Sequence, residues 1–452
     1  MPRTSANMSS TLIPNPSPRS SPVPTELVIP RRHWEEGLRR LLQRHRGTDT
    51  VLRTPLCGTR LPDRRWFFTG AVPSEDHRPT DRPSLTFGIS ASRSDTARLR
   101  REWEQEASSA GDILLATGVE ERRGQLQAWA RSQEGGRKAA GIRLPGCGMH
   151  HAAADGHLSR PGDRRQLQAE QWSRTIGALG EEVWSRLTGL QVGLVGCGRL
   201  GSLLATSLAR TGVSEWVLVD PDHIERHNLG ESAGWTEEDL GTSKAEGLAR
   251  HLRQTCPWVQ SPTAIPNSVA MEPARRALRS CDVLLCCADA GGGRLATGIL
   301  ASLYHRPLID VGTGVFSSGG GRDIGAEVRL VLPGDGCLQC VGGTARPEEA
   351  RSALQSADAE QLIINGRDWS DERAGSLRSW NTVVVGTAQR ILESLIAEDI
   401  QQSGWWRLRW SGNAMQAQRQ EGSSTSENCL CSLAGRGDEG ISEVQARMRE
   451  HE

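Results

Sequence analysis

Lysine is almost absent from this chain: of its 54 basic residues only Lys138 and Lys244 are lysines, and the others are arginines. A G+C-rich coding bias that exchanges lysine for arginine wherever either serves accounts for the ratio. It also makes a surviving lysine informative, because a planar guanidinium does not replace a compact ammonium at every site. Tyrosine, present once, is as scarce. Net charge is missing too, with 54 acidic residues against the 54 basic ones and a pI near 7.2. That balance excludes the global positive field that recruits nucleic acid or an anionic membrane, so an anionic ligand has to be met locally. No stretch reaches 18 apolar residues, which excludes a membrane-spanning helix. Eleven cysteines in 452 residues are too few for a disulfide scaffold. Four of them sit as C-x-x-C (Cys337, Cys340) and C-x-C (Cys429, Cys431), the usage of a reducing cytoplasm with thiolate chemistry.

What is present divides the chain into three. Residues 1–28, rich in Ser, Pro, Thr and Asn, have no apolar core between basic residues and a cleavage site, so they read as a disordered arm rather than a secretory signal. Residues 29–165 read as a small accessory α+β domain. It contains an amphipathic helix in HWEEGLRRLLQRH (33–45), strand-like runs in RWFFTGAV, SLTFGIS and DILLATGV, and a charged surface helix in RLRREWEQE. A histidine-rich segment, GCGMHHAAADGHLSRPGDRR, marks its end.

Residues 166–452 carry stronger signals. Segment 190–222 is an apolar strand, a glycine turn, an apolar helix and a second strand ending in acid: one βαβ unit. Apolar runs at 283–289, 307–314 and 326–334 alternate with helical stretches at 243–254 and 293–305. The pattern predicts a Rossmann-like α/β fold with a doubly wound, mainly parallel sheet. Residues 344–372 are polar and acidic, the composition of a loop crossing the ligand face, and 377–400 is apolar enough for a packed helix.

Gly196, Gly198 and Gly201 form G-x-G-x-x-G directly between that first strand and its helix. There, glycine permits a tight turn and close backbone approach, and the helix N-terminus offers free N–H groups to phosphate. Asp220, 19 residues beyond Gly201 at the end of the next strand, stands where an acid accepts hydrogen bonds from ribose hydroxyls. The two together indicate a nucleotide but do not separate NAD from ATP.

Further motifs follow in order: Asp220-Pro-Asp222, then Asn228-Leu229, then GTSK ending at Lys244, then Asp289 after the run VLLCCA. The series resembles the E1-like (ThiF-type) activating enzymes, the superfamily of the sulfur-carrier adenylyltransferases of thiamin and molybdopterin synthesis and of ubiquitin-activating enzymes. The resemblance covers about 172–440. It implies ATP-dependent adenylation of the C-terminal carboxylate of a small ubiquitin-like or sulfur-carrier protein ending in Gly-Gly. Lys244 would neutralise phosphate charge and Asp289 would hold Mg²⁺. Asp220 and Asp222 belong to the nucleotide motif, with Asp220 on the ribose and Asn228 on a phosphate or ribose oxygen. Arg174 would reach across the interface of a cytoplasmic homodimer. Cys337, Cys340, Cys429 and Cys431 resemble the four thiolates of a structural Zn²⁺.

One motif departs from the resemblance. Where the family has N-L-x-R-Q this chain has N-L-G-E-S, placing Glu231 at the arginine and Ser232 at the glutamine. A carboxylate does not stabilise phosphate charge, so Arg174, Arg199 and Arg294 become the candidates to restore it. Two other functions therefore stay open, a binding module without turnover and an NAD-dependent oxidoreductase. The oxidoreductase leaves Lys244 and Asp289 without a task. No cysteine is placed for a thioester step: Cys281, Cys286 and Cys287 read as core, and Cys197 lies inside the phosphate turn. His150, His151, His157 and Asp163 vaguely resemble the JAB/MPN metal signature at the wrong spacing, which points to a degenerate domain of that kind or to a solvated histidine loop.

Overall fold

The computed structural model of the chain describes residues 26–31, 34, 50–55, 58–60, 65–68, 84–90, 113–118, 127–131, 137–146, 149–152, 170–289, 291–318, 321–341, 377–411, 413–421, 431, 434–438 and 440–441. Nearly all of the expected helices 33–45 and RLRREWEQE, the whole segment 344–372, His157, Asp163 and Cys429 lie outside these residues.

The N-terminal strands are β1 (Glu26–Val28), β2 (Thr50–Pro55), β3 (Gly58–Arg60), β4 (Arg65–Phe68), β5 (Ser84–Ser90), β6 (Ile113–Gly118), β7 (Gln127–Arg131), β8 (Arg137–Leu144) and β9 (His150–Ala152). They form one sheet in the order β2-β5-β6-β7-β8-β1-β4-β3, with β9 paired to β8. The three expected strand runs are β4, β5 and β6. The arm is corrected at its inner end. Glu26–Val28 is a strand running parallel to both β4 and β8, because the apolar run Leu27-Val28-Ile29 is fully buried. Val28 joins a core cluster of the second sheet, and so links the two sheets. Glu398 adds a polar link, pairing with Arg31 and Arg186 at 3.2 Å each.

The second sheet contains β10 (Gln191–Val195), β11 (Glu215–Val219), β12 (Thr263–Ile265), β13 (Val283–Cys286), β14 (Leu308–Ser318), β15 (Gly321–Val331), β16 (Gly404–Ser411) and β17 (Ala414–Glu421). Its order is β12-β11-β10-β13-β14-β15-β16-β17. The first five strands are parallel and the last three add antiparallel. This is the expected mainly parallel, doubly wound sheet, extended by the hairpin β16–β17, which the sequence pattern does not predict.

Strict alternation explains the layers. In β10 and β11, Val192, Leu194, Trp216 and Leu218 point into one core, while Val195, Val217 and Val219 point into the other. A strand apolar on both faces needs helices on both. The helices are α1 (Ser173–Leu179), α2 (Glu181–Thr188), α3 (Arg199–Arg210), α4 (Lys244–Thr255), α5 (Glu272–Leu278), α6 (Gly291–Leu303) and α7 (Arg378–Ile396). Residues of α3, α4 and α7 fill the first core and those of α5 and α6 the second. From β10 the chain winds outward to β11 and β12, then returns to β13 and winds the other way. The crevice beyond the carboxyl ends of β10 and β13 is therefore the topological switch point, where such sheets bind ligands. Among the described residues, no helix is long and apolar enough to cross a membrane.

The far end of α3 is closed by three indoles. Trp258, Trp172 and Trp184 donate N–H bonds to the terminal carbonyls of Ala209, Arg210 and Thr211 at 2.7, 2.8 and 2.9 Å. The rings also stack edge-on, Trp172 against Trp258 at 4.8 Å between centroids. The Arg210 and Thr211 carbonyls lie past the last intrahelical acceptor and the Ala209 carbonyl also accepts the Gly212 N–H at 2.9 Å, so side-chain donors answer a need every helix end has. Trp172→Phe keeps an aromatic ring but removes the N–H bond to the Arg210 carbonyl. Urea unfolding is expected to show a loss of about 0.5–1.5 kcal/mol, and unchanged stability would show that water replaces the indole.

Candidate nucleotide-binding site

The glycine turn has the geometry its motif requires. Gly196 has φ +88, and a Cβ there would lie 2.7 Å from the backbone of Cys287 and Ala288. At Gly201 a Cβ would strike the Gly196 carbonyl at 1.8 Å, so α3 rests directly on the turn. Gly198, in contrast, faces open space. Two glycines thus serve packing and the third leaves room for a ligand at the N-terminus of α3.

Asp220 holds this turn from the next strand. Its two carboxylate oxygens accept the backbone N–H of Cys197 at 2.6 Å and of Asp222 at 2.9 Å. Burial raises its pKa to about 6, against the opposing pull of Lys244. Asp220 therefore has a structural task beyond the expected ribose contact. The loop after it folds back on the start of α4: Ile224 N–H donates to the Thr242 carbonyl at 2.8 Å, and Lys244 N–H to the Asp222 carbonyl at 2.9 Å.

Ser243 caps α4, which puts Lys244 at the first helical position. A cation is disfavoured at the positive end of a helix dipole, so something must hold it there. Its Nζ lies 2.8 Å from Asp222 Oδ2. Burial works to lower the Lys244 pKa, but the charges of Asp220, Asp222 and Asp289 outweigh it and the pKa is raised. The ammonium is fully charged at neutral pH and sits among three carboxylates at the mouth of the switch point. Asp289 itself is exposed beyond β13.

The other expected residues fare differently. Asn228 is buried, and its Oδ1 accepts the Glu225 N–H at 3.0 Å, closing the short 3-10 turn Arg226–Asn228. That oxygen serves the loop, which the sequence assignment to phosphate or ribose does not foresee. Arg174 is exposed on α1, two residues from Trp172, which is pinned to the far end of α3. Twelve helical residues, about 18 Å, separate that end from the glycine turn. Arg174 therefore lies remote from its own chain's site. Arg294 is not free to neutralise phosphate: its guanidinium forks onto the buried Asp310 through Nε at 2.8 Å and through a second nitrogen. Arg199 begins α3 beside the turn and makes no ion pair among the described residues.

Asp310 was not among the expected residues. It also pairs with the buried Arg329 at 3.3 Å, so one carboxylate fixes two arginines below the crevice. The run PLIDVG carries the only signal, an acid inside an otherwise apolar strand.

Three of the four expected cysteines come together. The sulfurs of Cys337, Cys340 and Cys431 lie within 4.8 Å of one another, with separations of 3.9 Å (Cys337–Cys340) and 3.5 Å (Cys340–Cys431). Tetrahedral zinc with bonds of about 2.3 Å spaces its sulfurs about 3.8 Å apart. The cluster fits that geometry. By contrast, burial pushes the thiols of Cys197, Cys286 and Cys287 well up, which leaves them protonated and inert.

Residues 172–430, more than half of the chain, match the model of the ThiF family. This chain belongs to the ThiF family. Mouse "Adenylyltransferase and sulfurtransferase MOCS3" is 33% identical over 177 residues, 39% of this chain and 36% of that protein. "Adenylyltransferase and sulfurtransferase uba4" of Aspergillus fumigatus is 27% identical over 270 residues, 56% and 51% of the two chains. The "Sulfur carrier protein ThiS adenylyltransferase" of Escherichia coli is 28% identical over 158 residues, 34% and 59%. The chain thus spans between 36% and 59% of the length of these curated relatives.

Asp220 gives the site a pH dependence. Because its pKa in the fold is raised to about 6, the protonated form is the one the fold favours, and that contribution is lost as pH rises from about 4 through 6. For the expected ribose contact, ligand binding would run the other way, since only the carboxylate accepts from hydroxyls with both oxygens. Nucleotide affinity is expected to fall as pH is lowered from 7.5 through about 6, and Asp220→Asn to flatten the profile when titrated by calorimetry.

Proposed function

We propose that this chain uses ATP to adenylate the C-terminal carboxylate of a small ubiquitin-like or sulfur-carrier protein ending in Gly-Gly. The observation that carries this is Lys244. One of two lysines among 54 basic residues stands at the dipole-disfavoured first position of a helix, paired with Asp222 and in the field of Asp220 and Asp289. A dehydrogenase has no use for that ammonium; a triphosphate does. The names of the mouse, Aspergillus and E. coli relatives support the same class.

In the proposed reaction a carboxylate oxygen of the partner attacks the α-phosphorus, the bond to the bridging oxygen breaks, and pyrophosphate leaves with the electron pair. No proton need move. The N-terminus of α3 and the glycine turn bind phosphate, Asp220 accepts from the ribose, and Lys244 turns from Asp222 to the phosphates as charge develops there. Asp289 is the residue that would hold Mg²⁺, which when bound neutralises phosphate charge. Arg174, remote from its own site, acts in a homodimer by reaching the other subunit. Cys337, Cys340, Cys431 and Cys429 hold a structural Zn²⁺ that ties the C-terminal segment to the sheet. The N-terminal sheet is the accessory unit, and the location is cytoplasmic, where thiolates stay reduced.

ATP–pyrophosphate exchange in the presence of the partner tests the reaction. Lys244→Ala and Asp289→Ala are each expected to lower it by about 10²–10³. ATP binding without exchange for any Gly-Gly protein would instead support the binding module, which Glu231 favours. For the metal, about one zinc per chain is expected by elemental analysis, lost in Cys340→Ser; an unchanged content in Cys429→Ser would remove that residue from the site.

A further inference from the structure

Arg294 stands in the first turn of α6, the helix that leaves the crevice after β13. A cation there meets the positive end of the helix dipole, as Lys244 does on α4. Asp310 compensates for it. This carboxylate is fully buried, level with Cys286 at the end of β13, and accepts from Nε of Arg294 at 2.8 Å and from Nη2. Arg329, 2% exposed, donates to the same carboxylate at 3.3 Å, so Asp310 keeps a partner whatever Arg294 does.

A guanidinium has two edges that can each fork onto a carboxylate, one through Nε and Nη2 and one through Nη1 and Nη2. Asp310 takes the first. On the second, Nη1 makes no hydrogen bond among the described residues, and the Arg294 side chain is 23% exposed. Gly312, two residues beyond Asp310 on β14, makes room for that end of the group: a Cβ there would lie 3.0 and 3.1 Å from Nη1 and Nη2. The guanidinium is therefore fixed on its inner edge and open to solvent on its outer one.

Strand order sets this edge beside the phosphate site. Across the ligand edge of the sheet, Asp220 follows β11, the glycine turn follows β10, Asp289 follows β13, and Asp310 with Arg294 stands on β14. Two strand spacings, about 10 Å, separate β14 from β10. A carboxylate held at about 2.8 Å from the guanidinium and about 3–3.5 Å from phosphorus fills that span. The fork on Asp310 suits a nucleophile as well. A guanidinium whose charge is already balanced offers directed N–H groups without the pull that an unbalanced cation exerts on the attacking oxygen. We propose that Arg294 binds the partner's tail: its outer edge forks onto the terminal carboxylate, and Asp310 is the positioning residue that holds it there. This rests on the adenylation reading and names the group that brings the carboxylate to the α-phosphate.

The test uses the full chain with MgATP and two fluorescein-labelled decapeptides of one sequence ending in Gly-Gly, the first a free acid and the second a carboxamide. Binding is read by fluorescence anisotropy, and pyrophosphate exchange is measured with the free acid. The wild type is expected to favour the acid by roughly tenfold or more. Arg294→Gln should bring the two peptides within about twofold of each other, with the MgATP affinity measured alongside by calorimetry changing far less. Arg294→Lys, which keeps the charge and loses the fork, should give an intermediate preference. Results are read as ratios between peptides on the same variant, so partial loss of folded protein cancels. No binding of the acid, equal binding of acid and amide by the wild type, a full preference in either variant, or a loss of MgATP affinity in place of the acid preference overturns the role of Arg294. An acid preference that depends on Arg294 without any exchange supports Arg294 while overturning adenylation, which keeps the two failures apart.

Discussion

The Asp220 carboxylate, buried at the end of β11, accepts an N–H from the glycine turn and another from its own loop. Burying a carboxylate is costly unless its oxygens are matched, and here two backbone donors and a nearby ammonium match them. Through those bonds one side chain sets the height of the phosphate turn, the course of the Asp222 loop and, by way of the Asp222–Lys244 pair, the start of α4. Lys244 in turn occupies a helix position that only those acids make tolerable. The glycine turn, the Asp222 loop and the start of α4 are thus joined through one run of hydrogen bonds and charges.

Arginine and lysine have divided the work. Arginines here do structural tasks: the buried Arg329 and half-buried Arg294 grip Asp310, Arg329 and the exposed Arg407 flank the Trp405 ring at 4.7 and 4.9 Å, and Arg186 shares Glu398 with Arg31. Planar, delocalised guanidinium suits forks and ring faces. The small ammonium of Lys244 is left for the crevice. A coding bias toward arginine is compatible with this fold because its cationic structural positions are of the kind arginine fills well.

The parallel half of the sheet was legible because its strands are apolar on both faces and its turns carry glycine and acid at fixed offsets. Spacing and order marked Gly196, Gly198, Gly201 and Asp220 as a strand–turn–helix motif with an acid on the next strand, and the resemblance to the E1-like enzymes marked Lys244. What escaped has physical reasons. β12 is three residues long, too short for any period. The β16–β17 hairpin escaped because β17 is polar and exposed along nearly its whole length, so it shows no alternation of apolar residues. Asn228 was legible as a motif position but not as a cap, since capping depends on the backbone conformation at Glu225. The pairing of Arg294 with Asp310 joins α6 to β14 and leaves no trace in local sequence. Cys431 beside Cys337 and Cys340 was legible through the resemblance to the E1-like enzymes and not through the C-x-C spacing, since the pairs meet only by tertiary folding.

The claim on which the rest depends is that this crevice is built for a nucleoside triphosphate. Calorimetric titration of the full chain with MgATP and, separately, with NAD tests it most directly. Saturable MgATP binding that weakens at least tenfold in Lys244→Ala, with no binding of NAD, is the expected result. Tight NAD binding without ATP binding, or ATP binding indifferent to Lys244, would contradict it.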